Sequence, residues 1–451
     1  MLNFKFEDKN ELLNLFSPDE MIGGRTRVVL SPYVNRLRQL SVYYNGVNNC
    51  MDDNLIKFYD KNFKINFYGV DDDITDKYII PIGVNENPRK WIGGGYAQEG
   101  SVEYDFQNLF DKLNETYLDD LRKNKAFLLI DSSLEGYHDQ CIFNWISEQC
   151  IAFKIHTSHI IYVTGNSLIE DRLEEWKVEN PEKDVPIVIP YSHFEFDIGE
   201  VVRIRTDQNQ VKVPNFQDQL DYKEKNFDKI KIYNFLNKRP RSHRAWFYHT
   251  LRVQNLLDDG VVSMNKFDDT RDLVIDYGKL EQRWLPETNE TLPTYAYGVS
   301  NEVEKFKFYM NNLNEQSTLD SWFTIVSEAQ FEDKMGTIFL SEKIFKPIAC
   351  SHPFVILGNK NSLKELHKLG YKTFNDLIPE DYDSEPSFER FNTLCDSIRN
   401  LKSNPDKLQW FKWLRPKLEH NAKVLQFNSL FKPPQGFYEL IDLLKPKNSI
   451  L

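Results

Sequence analysis

Nowhere in the 451 residues does an uncharged apolar run approach the ~20 residues that a membrane helix needs, so no bilayer-spanning segment is expected. Cysteine is scarce. Cys50, Cys141, Cys150, Cys350 and Cys395 contain no CxxC pair and are odd in number, which fits reduced thiols better than a disulfide framework. The nine histidines show no HExxH or similar spacing, so no metal site is expected. Positive charge is also in deficit. A net charge of -12 argues against a uniformly basic nucleic-acid surface, although a local basic cleft stays compatible with it. The opening MLNFKFEDKNELLNLF has early acidic residues and no long apolar centre, so a soluble, cytoplasmic protein is expected, in the host cytoplasm if the source is viral.

What the chain does have is core material: 41% hydrophobic and 14% aromatic residues. Its length exceeds what one core usually serves, and two domains are expected. Short apolar runs alternate with longer amphipathic stretches, the pattern of parallel strands joined by helices, hence an α/β protein. In the first half the strand candidates are Arg27–Ser31, Lys64–Val70, Ala126–Asp131, His159–Thr164 and Val185–Tyr191, with a helix over Cys141–Lys154. AFLLID is nearly all apolar, as for a strand covered on both faces. Residues 201–228, rich in Gln, Asn and Asp, read as a linker between a domain at 1–200 and another at 229–451. The second series runs through a strand at Lys231–Leu236, a helix at Ser242–Leu257, a strand at Trp322–Val326, a helix at Glu342–Ala349 and a strand at Pro353–Leu357. A last helical stretch, interrupted by Pro416, is long enough to cross back onto the first half.

Two stretches of the second half carry chemistry. In IYNFLNKRPRSHRAWFYHTL a strand runs directly into a turn and a helix, placing Arg239, Arg241 and Arg244 at the edge where parallel sheets bind ligands. Guanidinium groups take phosphate oxygens bidentately, and the N-terminus of the Ser242 helix adds its dipole, so a pyrophosphate suits them. A solvated basic turn capping a helix fits the same residues. In WFTIVSEAQFED, Glu328 follows a buried strand. In TIFLSEKIFKPIACSHPFVILG, Ser341, Glu342 and Lys343 open a helix, with Lys346 one turn on. A carboxylate can accept from a ribose diol and an ammonium near a helix start can bind a diphosphate. Singly, Ser341 is also a plausible N-cap, Glu342 a first-turn acid, and Lys343 and Lys346 solvated.

The ordered set FxxVSE, SEK, helix and PFVILG resembles the donor-binding signature of the α1,3-fucosyltransferases, and more loosely that of exostosin-type transferases. The resemblance covers residues 230 to 385. It implies two Rossmann-like domains in the arrangement called GT-B, with a cleft between them and the nucleotide-sugar held mainly by the C-terminal one. It further implies that Glu342 binds ribose, Lys343 the diphosphate, and Glu328 the base or sugar, with Arg239 or Arg244 also on the diphosphate. Ala329 stands where that family has Asn, and the Lys-to-Pro spacing is shorter by two residues, so GDP-fucose is not inferred.

The implied activity is metal-independent transfer of a hexosyl or pentosyl group from a UDP- or GDP-sugar to an acceptor hydroxyl, with no cofactor beyond the donor. An inverting enzyme also needs a base. Beyond Asp131 in IDSSLEGYHD, Glu135 is the first candidate and His138 the second, although a solvated loop accounts for both. MIGGRTR, WIGGGYAQEG and Asp71-Asp72-Asp73 read as ordinary turns. Three functions stay open: transfer to a glycan or small molecule, transfer to a hydroxylated base in modified DNA, and a non-catalytic nucleotide- or glycan-binding module.

Overall fold

The computed structural model describes residues 2–6, 33–34, 36–37, 65–69, 74, 76–83, 110, 113–134, 136, 141–207, 213–237, 242–264, 313–331, 336–430 and 432–444. The expected strand at Arg27–Ser31, the two glycine-bearing stretches and Asp71–Asp73 lie outside these residues. By its contacts the chain divides into two units. Unit 1 comprises Met1–His193, Met335–Thr337 and Phe431–Leu451; unit 2 comprises Phe194–Lys334 and Ile338–Leu430.

Unit 1 is built on strands β1 (Leu2–Phe6), β2 (Ile65–Gly69), β3 (Tyr78–Gly83), β4 (Ala126–Ser132), β5 (Ile160–Thr164) and β6 (Ile187–Pro190). They pair in parallel in the order β2-β1-β3-β4-β5-β6. Every residue of β4 and β5 is buried, as an apolar strand between two helical layers must be. Helices α1 (Glu115–Arg122), α2 (Cys141–Phe153) and α3 (Ile169–Glu179) supply the cover. Asn114 caps α1 by accepting from the Tyr117 N–H at 2.9 Å. The core joins Ile80, Leu128 and Tyr162 from the strands to Tyr117, Ile146 and Trp176 from the helices.

Unit 2 begins at Phe194, ahead of the segment that reads as a linker. Residues 193–207 form α4 (His193–Asp207) and 216–225 form α5 (Phe216–Lys225), so the segment at 201–228 contains helix at both of these stretches. The polar residues that suggested a linker are the caps: Asn215 and Asp218 close a reciprocal capping box, with both N–H···O distances 3.0 Å. Phe216, Gln219, Leu220 and Lys223 then fall on one buried face, at helical spacing.

The strands of unit 2 are β7 (Lys231–Asn237), β8 (Gly260–Met264), β9 (Ser321–Ser327) and β10 (Phe354–Leu357). All pair in parallel, in the order β10-β9-β7-β8. Around them lie α6 (Ser242–Val253), α7 (Glu315–Leu319), α8 (Glu342–Ala349), α9 (Ser362–Lys368), α10 (Ser387–Ser403), α11 (Lys407–Trp413) and α12 (Arg415–Leu430). The edge strand β10 keeps its outer groups bonded through Tyr382. Its hydroxyl accepts from the Ile356 N–H at 2.9 Å and donates to the Ile356 carbonyl at 3.0 Å. The expected α/β class with two Rossmann-like sheets is what the chain adopts. Among the described residues no helix is long and apolar enough to cross a membrane.

The two sheets share one winding. The chain lays a second strand on one side of the first, then places the third on the other side. The order therefore reverses between β1 and β3 in unit 1 and between β7 and β9 in unit 2. In such sheets the loops leave in opposite directions at the reversal, opening a crevice beyond the carboxyl ends of those two strands.

Candidate functional site

The crevice of unit 2 is where both chemistry-bearing stretches converge. β7 leads to α6 and β9 leads to Glu328, so the start of α6 and the exit of β9 are neighbours. Arg244, in the first turn of α6, is 4% exposed. Its Nε donates to Ser327 Oγ at 3.2 Å, and its Nη2 donates to the carbonyls of Ser327 at 3.2 Å and Glu328 at 2.9 Å. His243 lies 3.1 Å through Nε2 from the same Glu328 carbonyl, which can only accept, so Nε2 carries the hydrogen. Its ring stacks on Phe331, with centroids 5.1 Å apart, and Arg390 covers that ring at 4.7 Å. The exit of β9 is thus clamped by a buried cation and two aromatic layers.

Glu328 is fully buried and turned inward. Its Oε1 accepts from the Ser341 N–H at 3.2 Å, and its Oε2 accepts from the Ser341 hydroxyl and from the Ala329 N–H at 3.2 Å. Ser341 in turn is the N-cap of α8, its Oγ accepting from the Lys343 N–H. Across the exit, Gly358 has little room for a side chain: a Cβ there would sit 3.2 Å from that of Glu328 and 3.2 Å from Ser362 Oγ. Arg390, almost fully buried, holds the Gly358 carbonyl at 2.8 Å.

The outer members of the cluster are Glu342, Lys343 and Lys346. Lys343 Nζ donates to Glu342 Oε1 at 2.9 Å and to Ser341 Oγ at 3.0 Å, and these two side chains remain partly exposed. Burial alone would raise the Glu342 carboxyl, but the Lys343 and Lys346 charges outweigh it and bring the group down to about 2. Burial raises Glu328, opposed by the Lys343 charge and the Ser341 hydrogen bond. Burial also lowers the Lys346 ammonium, against the pull of Glu342. Asp197, on α4, completes the electrostatic neighbourhood. Burial first, then the Glu342 charge, push it up to about 6, and its Oδ2 finds no hydrogen-bond partner among the described residues.

Of the residues singled out in the sequence, Arg244, Glu328, Ser341, Glu342, Lys343 and Lys346 come together. Arg244, Glu328 and Ser341 are inside, joined to one another or to the main chain; Glu342, Lys343 and Lys346 form the outer rim. Arg239, Arg241, Glu135 and His138 lie outside the described residues. Sequence reasoning missed Asn237, His243, Asp197 and Arg390. For Asn237 a signal existed, an amide closing the otherwise apolar end of IYNFLN. Asp197 and Arg390 come from helices remote in sequence and carry no local signal. Among the described residues no group of three His, Cys, Asp or Glu is placed to hold a metal ion.

No family model matches the chain, and no curated protein sequence matches it. Among solved structures it is similar to an α1,3-fucosyltransferase with GDP-fucose, at 10% identity and a TM-score of 0.38, over 99% of this chain and 91% of that one. It is also similar to a UDP-forming α,α-trehalose-phosphate synthase from Burkholderia xenovorans, at 9% identity and 0.39, over 98% of each chain. A third likeness is to the N-terminal domain of trehalose-6-phosphate phosphatase from Candida albicans, at 10% identity and 0.36, over 98% of this chain and 96% of that one.

Proposed function

We propose that the chain is a glycosyltransferase that binds a nucleoside-diphosphate sugar, a UDP- or GDP-sugar, in the crevice of unit 2 and moves the sugar to a hydroxyl of a glycan or small molecule. One observation carries this reading: a helix start bearing an ionised carboxylate and an ammonium is locked, through buried Glu328 and Ser341, at the reversal of a parallel sheet. The ordered motifs of the sequence support it independently.

In this reading Glu342, ionised throughout the physiological range, accepts from ribose hydroxyls, while Lys343 and Lys346 bind diphosphate oxygens. Arg244, Glu328 and Ser341 position that rim without touching the donor. During transfer the bond from the anomeric carbon to the diphosphate breaks and a bond to the acceptor oxygen forms. The departing diphosphate gains negative charge, which the lysines and the N-terminus of α8 stabilise. The acceptor proton leaves to a base.

Thermal stabilisation by a panel of UDP-, GDP- and CMP-sugars, followed by a donor-hydrolysis assay, tests the reading. At least one donor should raise the melting temperature and be turned over. Lys343→Ala should weaken that donor about 10- to 100-fold, the value of one or two charge-assisted hydrogen bonds. If no nucleotide-sugar stabilises the protein, or Lys343→Ala and Glu342→Gln bind it as tightly as the parent, the reading is wrong.

A further inference from the structure

β7 is the first strand of unit 2 and borders the crevice. It ends on Asn237, which is 2% exposed. The Asn237 main chain is satisfied in part by its N–H, which donates to Ser263 Oγ at 3.2 Å. The side chain is not: neither Nδ2 nor Oδ1 has a hydrogen-bond partner among the described residues. A buried amide in this state is costly, and native chains rarely keep one without a use.

The neighbouring Asn234 shows how the same strand treats an amide meant for structure. Its Nδ2 lies 2.8 Å from both Ser321 Oγ and Thr324 Oγ1 and 3.3 Å from the Ser317 carbonyl. Nor is Asn237 remote from the cluster described above. β7 and β9 pair Lys231 with Ser321 and Asn234 with Thr324. Continuing that register by three residues sets Asn237 beside Ser327, whose hydroxyl and carbonyl Arg244 holds.

We infer that Asn237 is a further ligand-contacting residue, its carboxamide pairing with a hydroxyl-bearing ring, sugar or ribose, of the nucleotide-sugar bound in this crevice. The inference rests on the proposed function and extends it to a position that no motif marks. The choice of ligand group follows from what the amide lacks. Both its donor and its acceptor are unpaired, so a full partner must accept and donate. Phosphate oxygens at neutral pH only accept and would leave Oδ1 bare. Adjacent hydroxyls can do both, one accepting from Nδ2 while the other donates to Oδ1.

The test compares the full-length parent, Asn237→Ala and the near-isosteric Asn237→Asp by calorimetry and thermal melting. The probes are the best-binding nucleotide-sugar of the panel, its nucleoside diphosphate and inorganic pyrophosphate. Asn237→Ala should melt, without ligand, at or above the parent temperature, because it removes an unpaired buried amide. The same variant should bind the nucleotide-sugar at least 10-fold more weakly and pyrophosphate unchanged. Asn237→Asp, which keeps the shape but cannot donate when ionised, should lose nucleotide-sugar affinity as well. Equal nucleotide-sugar affinity in parent and variants overturns the inference while leaving the proposed function standing. A parallel loss of pyrophosphate binding, or a ligand-free melting temperature well below the parent's for both variants, assigns Asn237 a structural role and also overturns it. If the parent binds no nucleotide-sugar at all, both readings fall together.

Discussion

Replacing Ser341 with Ala should test whether the buried Glu328 carboxylate holds the α8 helix start. The substitution removes one hydroxyl that does three things: it donates to Glu328 Oε2, accepts from the Lys343 N–H as the N-cap, and accepts from Lys343 Nζ at 3.0 Å. Losing an N-cap costs about 1 kcal/mol. Losing a hydrogen bond to a buried charge costs about 1.5 to 3 kcal/mol more. The Lys343 contact is partly exposed and adds little. The expected loss is thus about 2.5 to 4 kcal/mol, or roughly 5 to 15 °C for a unit of this size. Urea unfolding followed by tryptophan fluorescence is a suitable assay, since Trp322, the second residue of β9, is buried in unit 2. Removing the Ser341 bond, one of the influences that keep Glu328 down, should also raise the Glu328 carboxyl further. Ser341→Thr, which keeps the hydroxyl, should recover most of the loss. A loss below about 1 kcal/mol in Ser341→Ala would refute the argument, since the cap alone accounts for that much.

Three further outcomes follow from the same contacts. Asp197 titrates in the folded chain at about 6, above its value of 3.8 when unfolded, so its ionised form opposes folding. The penalty is absent below the unfolded value, grows as pH rises through the window to about 6, and stays constant above it. Asp197→Asn should therefore stabilise at pH 7.5 by up to about 3 kcal/mol and do nothing near pH 3.5, measured by melts across pH; equal effects at both would contradict this. Gly358→Ala forces a Cβ against Glu328 and Ser362 and should cost about 1 to 3 kcal/mol, with donor affinity falling in parallel; an unchanged melt would show that the β9 exit yields freely. Tyr382→Phe strips the bonds from both main-chain groups of Ile356 and should cost about 2 to 4 kcal/mol, with faster amide exchange confined to β10 as the check.

The strands and the site were not equally legible in the sequence. Buried parallel strands announce themselves, and β4, β7, β9 and β10 stand within a residue or two of their expected limits. The helix at Glu342–Ala349 matches because Ser341 is a strong local cap. Composition misled where polarity had a structural cause: Asn215 and Asp218 read as linker residues, yet they fold α5. At the site, sequence order alone could bring Arg244, Glu328 and Ser341 to one sheet edge. It could not say which way a carboxylate faces. Glu328 turns inward because Ser341 offers it two donors in a buried setting, a contact 13 residues apart that no local pattern encodes. The contribution of Asp197 depends on the packing of α4 and was invisible for the same reason.

The division of the chain also bears on how it is made. Unit 1 is not continuous: helix α13 (Phe437–Leu444) packs against β1, and the Tyr33 hydroxyl donates to the Gln435 carbonyl at 2.6 Å, 402 residues away. At a synthesis rate of about 5 to 20 residues per second, β1 waits roughly 20 to 90 s for its partner helix to leave the ribosome. Unit 2 has all its strands by Leu357 and its last helix by Leu430, so it can close first. The face of β1 that α13 covers is therefore expected to stay open through nearly the whole of synthesis, and that interval is when chaperones would be needed.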